Sequence, residues 1–149
     1  MKKKSIKWIL VILWMGLIFY LSSRDRDEST NQSRSVVNQT KIVEIYEQKN
    51  NVDNETALED VDRIFRKSAH AIVYLILSVL LCSALNEYNL SVNNILLISF
   101  IICFIYSCSD EAHQLLVSGR SGEIRDVLID NIGTILGLIP YYLYKRRKS

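Results

Sequence analysis

Asp110 and Glu111 stand side by side soon after the apolar run "ILLISFIICFIY". Adjacent carboxylates at that place can exchange protons, bind amines and hydroxyls, or hold cations. Gln114 adds an amide one turn on, and Tyr106 a phenol one turn before. Two other stretches carry matching groups. Arg66, Lys67, His70 and Tyr74 are spaced i, i+1, i+4 and i+8, which places them within about 100° on one helix face. Asp126, Asp130, Gly133 and Gly137 fall within about 60° of one another. Arg120 and Arg125 lie just before that last stripe. The signs balance: Arg66, Lys67, Arg120 and Arg125 against Asp110, Glu111, Asp126 and Asp130.

This set supports two chemistries. As a binding site, the cations contact phosphate or carboxylate, with Arg able to do so bidentately. Asp110, Glu111, Asp126 and Asp130 then hold the cations and bind amines or hydroxyls, while His70, Tyr74 and Gln114 direct hydrogen bonds. As an enzyme, Glu111 or Asp110 is the general base, His70 its partner, and Arg120 stabilises negative charge. Paired charges that merely fix helix register are the plain alternative. Arg66 and Lys67 oppose a metal ion among His70, Asp110, Glu111 and Asp126, so none is expected. No Walker loop, dinucleotide fingerprint, CxxC pair or GxSxG is present, so no cofactor is expected either.

The elements that must position these groups are membrane spans. The chain is 49% hydrophobic yet 23% charged, and the two classes are segregated: apolar residues form four blocks with charges between them. A span needs roughly 20 mostly apolar residues. The blocks run from Ile6 to Ser23, from Phe65 to Leu85, from near Asn93 onward, and from Val127 to Tyr144. The first has a basic start but no A-x-A-like site after it, so it reads as an uncleaved anchor. Asp60 and Asp62 favour a helix start just before the second. The third continues as helix through "SDEAHQLLV" until "SGRSG" stops it. The fourth ends in Tyr141, Tyr142, Tyr144 and "KRRK", an interfacial anchor, with Pro140 placed to kink it. Its "GTILG" is a GxxxG that suits close helix contact.

The expected fold is therefore an all-α membrane protein with four transmembrane helices. In the first extracytoplasmic loop Val36, Val37, Val43 and Tyr46 share one side, which reads either as a short amphipathic helix on the membrane surface or as a solvated loop. The organisation is an N-terminal anchor (1–23), a polar extracytoplasmic loop (24–62), a three-helix core (63–144) and a basic cytoplasmic tail (145–149). Basic residues at both ends place both termini in the cytoplasm of a multi-pass cell-membrane protein. They suit anionic lipid headgroups better than nucleic acid. The polar stripes then lie at the outer ends of their spans. The inner halves, such as "LILSVLLCSAL" and "ILLISFII", read as apolar, which counts against a small transporter. Cys82, Cys103 and Cys108 read as packing residues rather than a disulfide framework.

The stretches "FRKSAHAIVY" (65–74), "DEAHQ" (110–114) and "GRSGEIRDVLIDNIG" (119–133), with four spans, resemble the VanZ-like membrane proteins, the family of the teicoplanin-resistance protein. Ser22 and Ser23 after the first span fit as well. By that resemblance the signature positions are Arg66, Lys67, His70, Tyr74, Asp110, Glu111, Gln114, Gly119, Arg120, Asp126, Asp130 and Gly133. The resemblance implies an integral protein of the bacterial cell envelope, with glycopeptide (teicoplanin) resistance as the phenotype of its best-known member. It departs in lacking a proline before Gly119 and in its long 24–62 loop. The partners expected are membrane lipids and a lipid-linked cell-wall precursor, with an anionic or zwitterionic envelope component in the polar site.

Overall fold

The computed structural model describes residues 2–23, 34, 35, 37, 41–116 and 124–147. It contains α1 (Lys2–Ser22), α2 (Ile42–Asn50), α3 (Asn54–Leu85), α4 (Val92–Gln114) and α5 (Ile124–Arg146), and no strand among the described residues. Four of these are long and apolar enough to cross a membrane. Large apolar side chains such as Ile12, Leu13, Ile72, Ile105, Leu128 and Ile132 point outward on them. In water that would be costly; against lipid tails it is the expected surface.

The second span differs from the sequence expectation. Its helix begins at Asn54, well before Phe65. Asp53 is the N-cap: its carboxylate accepts from the Thr56 backbone N–H at 3.3 Å and from the Thr56 hydroxyl at 2.6 Å. Those bonds hold the Asp53 carboxyl below the usual carboxylate range. Asp62, expected near the helix start, lies inside α3 and is 2% exposed, with Arg66 one turn on at 3.3 Å. The helix survives through this polar stretch because α2 covers it. Val43 of α2 and Val37 are buried against Ala57 and Val61 of α3, with Tyr46, Val52 and Leu58 around them. The Tyr46 hydroxyl donates to Asp60 at 3.2 Å. Asn51 ends α2 in the left-handed region (φ 53°), turning the chain back onto α3. The amphipathic helix thus exists, and its apolar side faces protein. Val36 lies outside the described residues.

Ser91 caps α4 by accepting from the Asn94 N–H at 3.3 Å. The helix ends at Gln114, and Leu115 and Leu116 form a turn rather than more helix. Val117 and the "SGRSG" turn lie outside the described residues. Pro140 sits within a continuous α5.

The bundle is organised by the contact of α3 with α5; α4 packs on both, and α1 on α3 and α4. At Gly133 an added Cβ would strike the Ala71 backbone carbonyl, and at Gly137 the Ser78 side chain and the Leu75 carbonyl. The helices therefore approach backbone to backbone, as the GxxxG implies. The buried faces are studded with small polar side chains: Ser78 and Cys82 on α3, Ser99, Cys103 and Ser107 on α4, Thr134 on α5. In the inner halves these polar groups sit among buried apolar residues such as Leu77, Leu81, Leu85 and Ile95. All three cysteines are free; Cys82 and Cys103 are buried and Cys108 is exposed.

The start of α1 and the end of α5 lie at one end of the bundle. Lys7 bonds Glu87 at 2.5 Å and the Ser83 carbonyl at 3.1 Å. Trp8 donates to the Tyr88 hydroxyl, and Tyr141 to Asn86, each at 3.1 Å. The hydrogen bond from Lys7 is the main reason the Glu87 carboxyl sits below its ordinary range, with Lys4 and Lys3 adding to it. Asp110, Asp126 and Asp130 are at the opposite end.

Two predictions test this frame. Gly133→Leu forces α3 and α5 apart and should cost roughly 1–3 kcal/mol, the usual range for overpacking. Gly16→Leu has open space around it and should leave thermal unfolding in detergent unchanged. The second concerns pH. A lowered folded-state value means Glu87 contributes stability above the unfolded value of about 4.3 and loses it as pH falls through the folded value. Glu87→Gln should therefore flatten the acid limb of the Tm-versus-pH curve.

Candidate functional site

Three helices bring their polar stripes to one end of the bundle. The i, i+4 rule sets the rows: Arg66, His70 and Tyr74 on α3, Asp110 and Gln114 on α4, Asp126 and Asp130 on α5. The Gly133–Ala71 contact then fixes the register of α3 against α5. Lys67 meets Asp126 at 2.6 Å. One turn deeper, His70 Nδ1 stands 3.8 Å from Asp130 Oδ1. Tyr74 is a turn deeper again, fully buried, its ring 6.3 Å from that of Tyr106.

From α4, Asp110 is 3% exposed and Glu111 8%. Gln114 donates to Asp110 Oδ2 at 3.3 Å. Tyr106 turns its hydroxyl to the Met15 carbonyl at 2.5 Å, tying α1 to the site. Trp14 does the same to Val73 at 2.8 Å. His113 packs tilted against Phe19 with ring centroids 4.5 Å apart, joining α4 to α1, and lies within electrostatic range of Asp110.

The arrangement is layered, which the sign count along the sequence did not show. Lys67 and Asp126 are each more than a quarter exposed, and Arg66 is similar. Asp110 and Asp130 lie deeper and are almost wholly buried. Arg66 is drawn to Asp62, a carboxylate of its own helix. Arg125 is exposed. Arg120 lies outside the described residues. Of the expected set, the structure brings together Arg66, Lys67, His70, Tyr74, Asp110, Glu111, Gln114, Asp126 and Asp130. It gives Arg125 no place in the cluster.

Several members were not picked out by charge. Ser22 of α1 is fully buried beside Asp110. Asn131 donates to the Val127 carbonyl at 2.7 Å and to Ser107 at 3.4 Å, joining α5 to α4. Thr134 is fully buried a turn further in. Their signal in the sequence is a polar residue on the buried arc of an apolar helix, which is weak because Ser and Thr are also ordinary helix-contact residues. Among the described residues no three His, Cys, Asp or Glu side chains form a metal-binding group.

Chemically, the outer layer offers cations that can meet an anion arriving from the bundle end. The inner layer offers carboxylates and hydroxyls in a setting poor in water. Groups of this kind are costly at membrane depth unless they pair with one another or face water.

No curated protein and no solved structure matches the chain. A family model described as VanZ/LLP1 matches residues 7–145, nearly its whole length, and takes in all four spans and the polar cluster. This four-span bundle therefore belongs to the VanZ/LLP1 family.

Proposed function

We propose that the protein binds the headgroup of an anionic or zwitterionic envelope component, a phosphate-bearing lipid or lipid-linked cell-wall precursor, on the outer side of the cell membrane. Glycopeptide resistance, the phenotype suggested by the resemblance to the teicoplanin-resistance protein, would follow from engaging such a precursor. The observation that carries this reading is the layering: half-exposed Lys67 and Arg66 above buried Asp110 and Asp130. A headgroup entering from the bundle end meets cations first and acceptors next. The orientation rests on the N-terminal "KKK" and the C-terminal "KRRK" at the opposite end, which favour the cytoplasm.

Lipids co-purified with the chain, measured by native mass spectrometry, test the reading. A charge-assisted contact is worth about 1.5–3 kcal/mol, so Lys67→Ala should lower retained lipid by roughly 10- to 100-fold with the chain still inserted. Arg120→Ala should act in the same direction. An unchanged lipid profile in both would overturn the proposal. Glu111→Gln should keep most function, because a binder needs no base there; loss of turnover at unchanged affinity would instead identify an enzyme. For orientation, Leu116→Cys at the end of α4 should react with a membrane-impermeant maleimide added outside intact cells. Labelling from the inside only would reverse the topology.

A further inference from the structure

The inner layer of the cluster is acidic, and its oxygens are short of donors. On the outer rung Asp126 is matched by the Lys67 ammonium at 2.6 Å. On the inner rung His70 Nδ1 is 3.8 Å from Asp130 Oδ1, beyond hydrogen-bond reach. Asp110 Oδ2 accepts from Gln114. Asp110 Oδ1, Asp130 Oδ1 and Tyr74 Oη have no hydrogen-bond partner among the described residues. These three side chains come from α4, α5 and α3, are 3%, 2% and 0% exposed, and lie within electrostatic range of one another. Ser22 Oγ lies next to Asp110, where its hydroxyl can turn toward the carboxylate.

Buried acceptors without donors are unfavourable, and buried carboxylates without a cation more so. The chemistry that relieves both is a small cation bearing several N–H groups. A primary ammonium has three, and three helices here each present an oxygen. The protein already uses this pairing one rung outward, between Lys67 and Asp126. A quaternary ammonium has no N–H and relies on aromatic faces instead. Glu111 adds a third buried carboxylate within electrostatic range of Asp130, so the surroundings favour a cation further, with the His70 ring 3.8 Å from Asp130.

Resting on the headgroup reading above, we propose that Asp110, Asp130 and Tyr74 form a primary-ammonium site, so that a zwitterionic ligand sits with its amine inward and its phosphate outward toward Lys67 and Arg66. The amine can belong to an aminophospholipid or to a soluble phosphorylated amine. Both share the recognised group.

The test uses the full chain in phosphatidylglycerol nanodiscs doped in turn with phosphatidylethanolamine, its N-monomethyl and N,N-dimethyl forms, and phosphatidylcholine. Retention by native mass spectrometry should fall with each methyl group, by about tenfold or more over the series, because each removes a charge-assisted donor. Asp130→Asn should erase the preference while phosphatidylglycerol is still retained through Lys67. A soluble arm separates the sources. Displacement by phosphoethanolamine and not by phosphocholine supports the site with the free headgroup sufficient; retention of the lipid against both supports it with the lipid as ligand. Equal retention across the methylation series overturns the ammonium site and leaves headgroup binding standing. Absence of any retained phospholipid overturns the headgroup reading itself.

Discussion

The closeness of α3 and α5 at Gly133 and Gly137 is the constraint on which the polar end depends. With no Cβ on either glycine, the α5 backbone rests on the Ala71 and Leu75 carbonyls. Ala71 follows His70 directly, and Gly133 lies within one turn of Asp130. The contact that packs the helices therefore also sets which side chains face each other at their ends. A wider separation would leave Lys67 and Asp126 to reach across lipid or water. In a bilayer no hydrophobic effect drives helices together, so close van der Waals contact of small residues supplies much of the association. The polar cluster rests on that close-fitting seam of small residues.

Burying Asp110 and Asp130 is costly in such a setting, and the fold meets the cost in stages. The half-exposed outer rung keeps Lys67 and Asp126 in contact with each other and with the interface, where a pair is tolerated. The inner carboxylates are shielded by Gln114, Ser22 and Tyr74, neutral groups that can adapt their hydrogen bonding. That gradient runs from cation to anion along one axis of the bundle. Arg66 is matched by the buried Asp62 and Lys67 by Asp126, while the buried Asp130 has the His70 ring at 3.8 Å.

Much of this was legible in the sequence. Four apolar blocks, the three polar stripes and the GxxxG each report a helical period directly, and the structure places them together. The start of α3 was not legible, because apolar content marks where a helix enters lipid and says nothing about where its backbone first becomes helical. The Asp53–Thr56 cap and the cover from α2 decided that. Asp62 was misread for the same reason: a carboxylate near an expected helix end looks like a cap, and only the longer helix reveals it as a buried partner of Arg66. Layering was hidden because sign counts along a chain carry no depth. Depth comes from rotation and register, and the latter was set by Gly133 against Ala71.

The two ends of the bundle make the same point from opposite directions. At the terminal end Lys7, Trp8 and Tyr141 each bond a group in the short turn after α3, so the helix ends are fastened together. The other end is fastened by Lys67 to Asp126, by Asn131 to Ser107, and by Trp14 and Tyr106 donating to the backbones of neighbouring helices. Its carboxylates keep unsatisfied oxygens. The two ends therefore differ in kind: one is closed by bonds to a short turn, and the other is where α3, α4 and α5 bring buried acids together with oxygens that have no partner among the described residues.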